Sequence, residues 1–214
     1  MNKERPIVFN ATLVQALLAG TKTQTRELVK LPYEAGRVES APPGSTGQRF
    51  RFWASPEPKH LEKINPFVRC PHGQVGDLFW VRERVAFLSS TITQARSRYV
   101  YEADASAQTR ASVAEYDQWR PSVQMPREAA RLLLQITNVR CERLQDISED
   151  DARAEGATSI AQPQHPLMGW DDIFPSARQH FHQLWSQRRG KDSWAQNPWV
   201  WVISFVLLPP PTSN

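Results

Sequence analysis

GTKTQTR, residues 20–26, is where the chain leaves an apolar helix and becomes a cluster of cationic and hydroxyl side chains. Upstream, Asn10 is placed to cap a helix whose Leu13, Val14, Leu17 and Leu18 recur at helical spacing on one face. Gly20 can end that helix in a left-handed turn. The segment behind it therefore reads as a tight polar loop carrying Lys22, Thr23, Thr25 and Arg26.

Downstream of that loop, residues 31–71 hold Pro32, Pro42, Pro43, Pro56, Pro58, Pro66 and Pro71, so neither helix nor strand is expected to run far there. Within this insertion GQRFRFWAS, residues 47–55, alternates Phe50 and Phe52 with arginines and suggests one edge strand or hairpin arm. A turn at Gly76 and Asp77 opens LFWVRERVAF, residues 78–87, read as a core strand with Arg82 and Glu83 near its far end. Residues 98–102 read as another short strand, and 103–118 as loop or marginal helix. A strand over 131–139 follows a proline-bounded loop, with Arg127 at its mouth.

Ser148 with Asp151 three residues on makes a capping-box-like helix start, and Gly156 ends that short helix. A second amphipathic helix over 176–188 packs through Ala177, Phe181, Leu184 and Trp185. The apolar run 199–208, rich in Val, Trp, Ile and Phe and closed by three prolines, reads as a buried last strand. Strands and helices do not alternate as in a doubly wound fold, which points to an α+β protein, a small mixed barrel with appended helices. The domain reading is one unit over 1–208 with insertions near 31–71, 103–120 and 157–175, and a disordered tail over 209–214.

The 214 residues carry 26 Lys and Arg against 22 Asp and Glu, with a pI near 9.3, a balance that allows a phosphate-bearing partner without requiring one. Cys70 and Cys141 stand far apart and outside any CxxC, which argues against a disulfide framework or structural zinc and fits a reducing cytoplasm. The amino terminus lacks the apolar run of a signal peptide, and no run is long enough to span a bilayer, so no membrane partner is expected. His180 and His182, two apart on a helix, cannot share one face, so no metal and no other cofactor is expected. A phosphate-binding P-loop is rejected because GTKT follows a helix and lacks the upstream glycine spacing. The oligomeric state stays open, with a monomer favoured.

Taken in order, GTKTQTR, GDLFWVRE (76–83), LQDISEDDARAEG (144–156) and NPWVWVISF (197–205) resemble the ASCH domain, a small β-barrel superfamily related in shape to PUA domains. The resemblance is closest to its longer phage and prophage members and covers nearly the whole chain outside the insertions. It implies a PUA-like barrel with a cleft beside the GxKTxTR loop, open to a nucleoside or to single-stranded RNA. The family's best-defined activity is hydrolysis of the acetyl amide of N4-acetylcytidine by a lysine, a threonine and a glutamate.

Carried over by position, that trio falls on Lys22, Thr25 and Glu155, with Asp151 the alternative acid one helical turn earlier. Amide hydrolysis needs a nucleophile, a base and a proton donor for the leaving amine, roles that Thr25, Lys22 and Glu155 would fill in turn. A lysine serves as base only when its pKa is depressed, which Arg26 nearby favours and the carboxyl-terminal end of the first helix opposes, a balance the sequence leaves open. Thr23, Arg26, Trp80, Arg82, Glu83 and Arg127 are the candidate ligand contacts, Trp80 by stacking and the arginines through phosphate or a base edge. Other family members bind or cleave RNA, so an RNA-binding module and a ribonuclease remain the rival readings.

Overall fold

A computed structural model describes residues 2–31, 35–41, 48–54, 67–87, 99–106, 108–110, 113, 118–158 and 176–209. In chain order the elements are β1 (Glu4–Val8), α1 (Ala11–Leu18), β2 (Gln24–Leu28), β3 (Ala35–Ser40), β4 (Phe50–Ala54), β5 (Leu78–Arg82), β6 (Val85–Phe87) and β7 (Tyr99–Tyr101). They continue as β8 (Leu133–Arg143), α2 (Glu149–Ala154), α3 (Ala177–Arg189) and β9 (Trp199–Leu207). The chain is a mixed α+β protein. Among the described residues the strands fall in linear orders with free edges and close no barrel, and no helix is long and apolar enough to cross a membrane. The insertion 157–175 lies, from residue 159 on, outside the described residues, as does the tail beyond 209.

Two compact units make up the chain: Met1–Gly20 with Asp77–Gln135 and Val206–Asn214, and Thr21–Gly76 with Ile136–Phe205. In the first, β1 runs parallel to β5, with Glu4 opposite Leu78 and Val8 opposite Arg82, and β5 runs antiparallel to the start of β8. The buried carboxylate of Asp77 pins this arrangement, accepting from the Lys3 amide at 2.9 Å and from Arg5 Nη1 at 2.7 Å. Asn10 caps α1 as its sequence requires, its Oδ1 accepting from the Leu13 amide at 2.9 Å. The predicted apolar face is narrower than its sequence: Val14 and Leu17 are buried while Leu18 is 47 % exposed. Gly20 takes φ +73° and ends the helix. The expected strand over 78–87 is broken after Arg82, and its remainder, β6, pairs instead with β7, so that Val85 packs with Met125, Ala129, Tyr99 and Tyr101.

The second unit orders its strands β8, β9, β2, with β2 antiparallel to β9. Ser148 caps α2, its Oγ accepting from the Asp151 amide at 3.0 Å, and Ser176 caps α3. The core beneath them joins Leu144, Ile147, Ala152, Ala177, Phe181, Trp185, Val200 and Val202. The strand expected over 131–139 is displaced to 133–143, and Leu134, Ile136 and Val139 are its buried residues. The proline-rich stretch holds more order than its composition suggests: β3 and β4 pair as an antiparallel hairpin.

Candidate active site

The loop read from GTKTQTR is a loop only as far as Thr23; Gln24 begins β2. A sequence of this polarity forms a buried strand because its side chains find partners rather than water. The Thr23 amide donates to Ala154 O at 2.8 Å and its carbonyl accepts from the Phe205 amide at 2.9 Å, tying the segment to the end of α2 and to β9. The Thr23 side chain itself is exposed. Lys22, Gln24, Thr25 and Arg26 are all buried, Arg26 at 1 %.

Two side chains of the segment, Lys22 and Arg26, converge on Glu155, which ends α2 as its C-terminal cap. Lys22 Nζ donates to Gln24 O and to Glu155 O, each at 2.8 Å, and lies 3.4 Å from Glu155 Oε2. Arg26 Nη1 donates to Glu155 Oε1 at 3.0 Å and to Gln24 Oε1 at 2.7 Å. Arg26 Nη2 meets Glu142 and, at 3.2 Å, Asp151 Oδ2. Arg140 extends the network to Glu142 Oε2 at 3.0 Å and Asp151 Oδ2 at 2.7 Å. Beside these bonds the Arg26 guanidinium carbon sits 5.7 Å from the Phe181 ring centroid, and its Nε has no acceptor among the described residues.

Burial pushes the Lys22 amine below the ordinary lysine range; Glu155 works in the other direction, and Arg188 and Arg26 add to the lowering. Burial also opposes ionisation of Asp151, but the hydrogen bond and charge of Arg140, with Arg26 and Gln24 behind them, outweigh it and hold that carboxyl below its usual value. Lys22 is thus a buried amine with a depressed proton affinity, set 3.4 Å from the Glu155 carboxyl. That is the equipment of proton transfer.

Of the predicted trio, Lys22 and Glu155 meet. Thr25 stands between Gln24 and Arg26 on β2, opposite Ile203, and strand alternation turns its side chain to the other face from theirs. Asp151, weighed as the alternative acid, belongs to the same network through Gln24, Arg26 and Arg140. Gln24, Glu142 and Arg140 were not among the predicted site residues. The alternation of Arg140 and Glu142 in RCER, which puts both on one face of β8, was the available sign.

The remaining candidates lie in the first unit. Trp80 is buried, with Arg82 4.5 Å and Arg127 5.7 Å from its ring centroid. Arg127 also pairs at the surface with Glu4 at 3.0 Å. Glu83 is 1 % exposed and accepts a fork from Arg131, Nε to Oε1 at 2.8 Å and Nη2 to Oε2 at 2.9 Å; Arg131 binds Asp104 as well. Its guanidinium lies 3.9 Å from the Tyr101 ring centroid. Among the described residues no group of three His, Cys, Asp or Glu is placed to hold a metal ion. No family model matches the chain, and no curated protein or solved structure matches it significantly.

Proposed function

We propose that the chain is a PUA-like protein of the ASCH type that takes a nucleoside or RNA nucleotide beside residues 21–26 and hydrolyses an amide on a modified pyrimidine, the N4-acetyl group of cytidine being the model substrate. One observation carries this reading: Lys22 and Glu155, 133 residues apart, are brought to 3.4 Å in a buried setting that depresses the lysine. Since the described strands are open, support for the family comes from this site and not from sheet closure.

Burial loosens the Lys22 proton, and the scheme starts from the neutral amine with that proton placed on Glu155, 3.4 Å away. The neutral amine then removes a proton from the attacking hydroxyl while Glu155 protonates the departing N4 amine, and the pair returns to ammonium and carboxylate. Because Thr25 faces the other side of β2, the nucleophile in this scheme is a water on the Lys22 side. Incubation of the purified protein with N4-acetylcytidine, followed by chromatography of released cytidine, tests the reading. Release that is lost in Lys22→Ala and kept in Thr25→Ala is the expected result; no release above the Lys22→Ala background rejects it.

A non-catalytic RNA-binding module is the second reading. It is favoured by the arginines laid over aromatic rings, Arg82 and Arg127 on Trp80 being one instance.

A further inference from the structure

The hairpin of β3 and β4 sits in the proline-rich stretch and shares no residue with the Lys22 network. Its register sets Arg37 opposite Trp53, Val38 opposite Phe52, Glu39 opposite Arg51 and Ser40 opposite Phe50. Alternation separates these into two faces. Phe50 and Phe52 turn inward, both buried, and meet Trp201 edge to face at centroid separations of 5.1 and 5.6 Å. That leaves Arg37, Glu39, Arg51 and Trp53 on the other face. An antiparallel bridge between Phe50 and Val68 lays residues 67–69 along β4 and brings Phe67 and Arg69 to the same outer side.

On this outer side the cations lie on the rings. The Arg37 guanidinium carbon is 4.6 Å from the Trp53 ring centroid; that of Arg51 is 5.5 Å from Trp53 and 4.1 Å from Phe67. Arg37 and Arg69 are exposed, and Arg51, Trp53 and Phe67 are half-buried. Against these three arginines the same face carries one carboxylate among the described residues, Glu39. Arg51 Nε and Trp53 Nε1 are closed off from solvent with no acceptor among the described residues. Donors left in that condition cost stability, and a ligand acceptor relieves the cost once the side chains turn toward it.

Positive charge by itself suits any polyanion. Rings interleaved with arginines at strand spacing suit a narrower class, one whose flat π faces are joined by negatively charged links. Each base supplies a face for Trp53 or for the guanidinium covering it, and each phosphate supplies acceptors for an arginine fork. A duplex offers the phosphates but keeps its faces stacked within itself, and an acidic peptide offers the charge without the faces.

We propose that the outer face of this hairpin is a platform for single-stranded nucleic acid, with a base stacked at Trp53 and backbone phosphates held by Arg37, Arg51 and Arg69. It goes beyond the hydrolysis reading and stands if that reaction is not found.

The test uses the full chain and fluorescence anisotropy with a labelled ten-nucleotide uridine RNA, its thymidine DNA counterpart and a ten-base-pair RNA duplex, with polyglutamate as competitor. Either single strand is bound in preference to the duplex, and polyglutamate displaces it poorly. Trp53→Ala weakens binding about 5- to 150-fold while Trp53→Phe keeps most of it. Arg37→Glu, at an exposed position, weakens binding and lowers the slope of log affinity against log salt by about 0.7 for each phosphate no longer held. Deacetylation of free N4-acetylcytidine by the Trp53 variants stays at the wild-type level, which separates this platform from the Lys22 site. Unchanged binding by both Trp53→Ala and Arg37→Glu, binding of the duplex at parity with the single strands, or displacement by polyglutamate as effective as by unlabelled RNA overturns the proposal. Should Trp53→Ala fail to fold, Arg37→Glu and the competition series decide it.

Discussion

In one unit Glu83 meets Arg131 through two parallel hydrogen bonds, and the chain of charges ends at Asp104. In the other, Glu155 is shared by Lys22 and Arg26, and Arg26 passes on to Glu142 and Asp151. Both bury a carboxylate against an arginine. They differ in the cation that completes the set. Burial works against the Arg131 cation, but its bonds to Glu83 and Asp104 more than offset this and hold its pKa above the usual value, so no proton is available for transfer. Lys22 has a proton that burial loosens. A buried charge is therefore a poor guide to chemistry until one asks whether any partner can change its protonation state.

Substitutions can break or sharpen that contrast. The largest effect is expected for Arg131→Met, which strands Glu83 without a cation and costs about 3–5 kcal/mol in urea unfolding. Lys22→Met leaves Glu155 on Arg26 and costs less, about 1–2 kcal/mol, and on the proposed hydrolysis it abolishes deacetylation. Equal stability losses for the two variants would erase the distinction between a structural fork and a proton-bearing pair.

Acid comes next. Asp151 has a lowered pKa in the folded chain, so its contribution is present above the unfolded value of about 3.9 and is lost as pH falls through the lower folded value. Lys22 also has a lowered folded pKa, so its slope has the same sign in a higher window: the folded chain binds fewer protons, and stability rises with pH between the folded value and about 10.4. Melting temperature against pH is expected to fall below about pH 4 in the wild type and to fall less steeply in Asp151→Asn. The smallest effect is that of Arg127→Ala. Its pair with Glu4 is 45 and 44 % exposed on the two side chains, and its removal changes stability by about 0–1 kcal/mol, measured by the same unfolding experiment.

The helices were legible because their signals are local: Asn10 and Ser148 each cap from the position their sequence assigns, and Phe181 and Trp185 recur one turn apart on a buried face. The last strand was legible from its apolar density. The polar strand β2 was not, since QTREL lacks the alternation of a half-buried strand and owes its burial to Glu155, Glu142 and Asp151, more than a hundred residues away. The hairpin of β3 and β4 was half legible; its Phe50 and Phe52 alternate visibly, while β3 is polar apart from Ala35, Gly36 and Val38. Of the site, Lys22 and Glu155 followed from the resemblance. Arg26, expected at a ligand, is the second cation on Glu155 and is folded into the network.

The bonds of the Lys22 and Arg26 network to Glu155, Asp151 and Glu142 close spans of 116 to 133 residues. Contacts so remote along the chain are entropically late, because nearly everything between them must be placed before they can form. On refolding from urea, the capped helices recover on the fast timescale of local structure and the network assembles last. On the proposed hydrolysis, regain of Lys22-dependent turnover then follows the slowest conformational phase and serves as a clock for the completion of the fold.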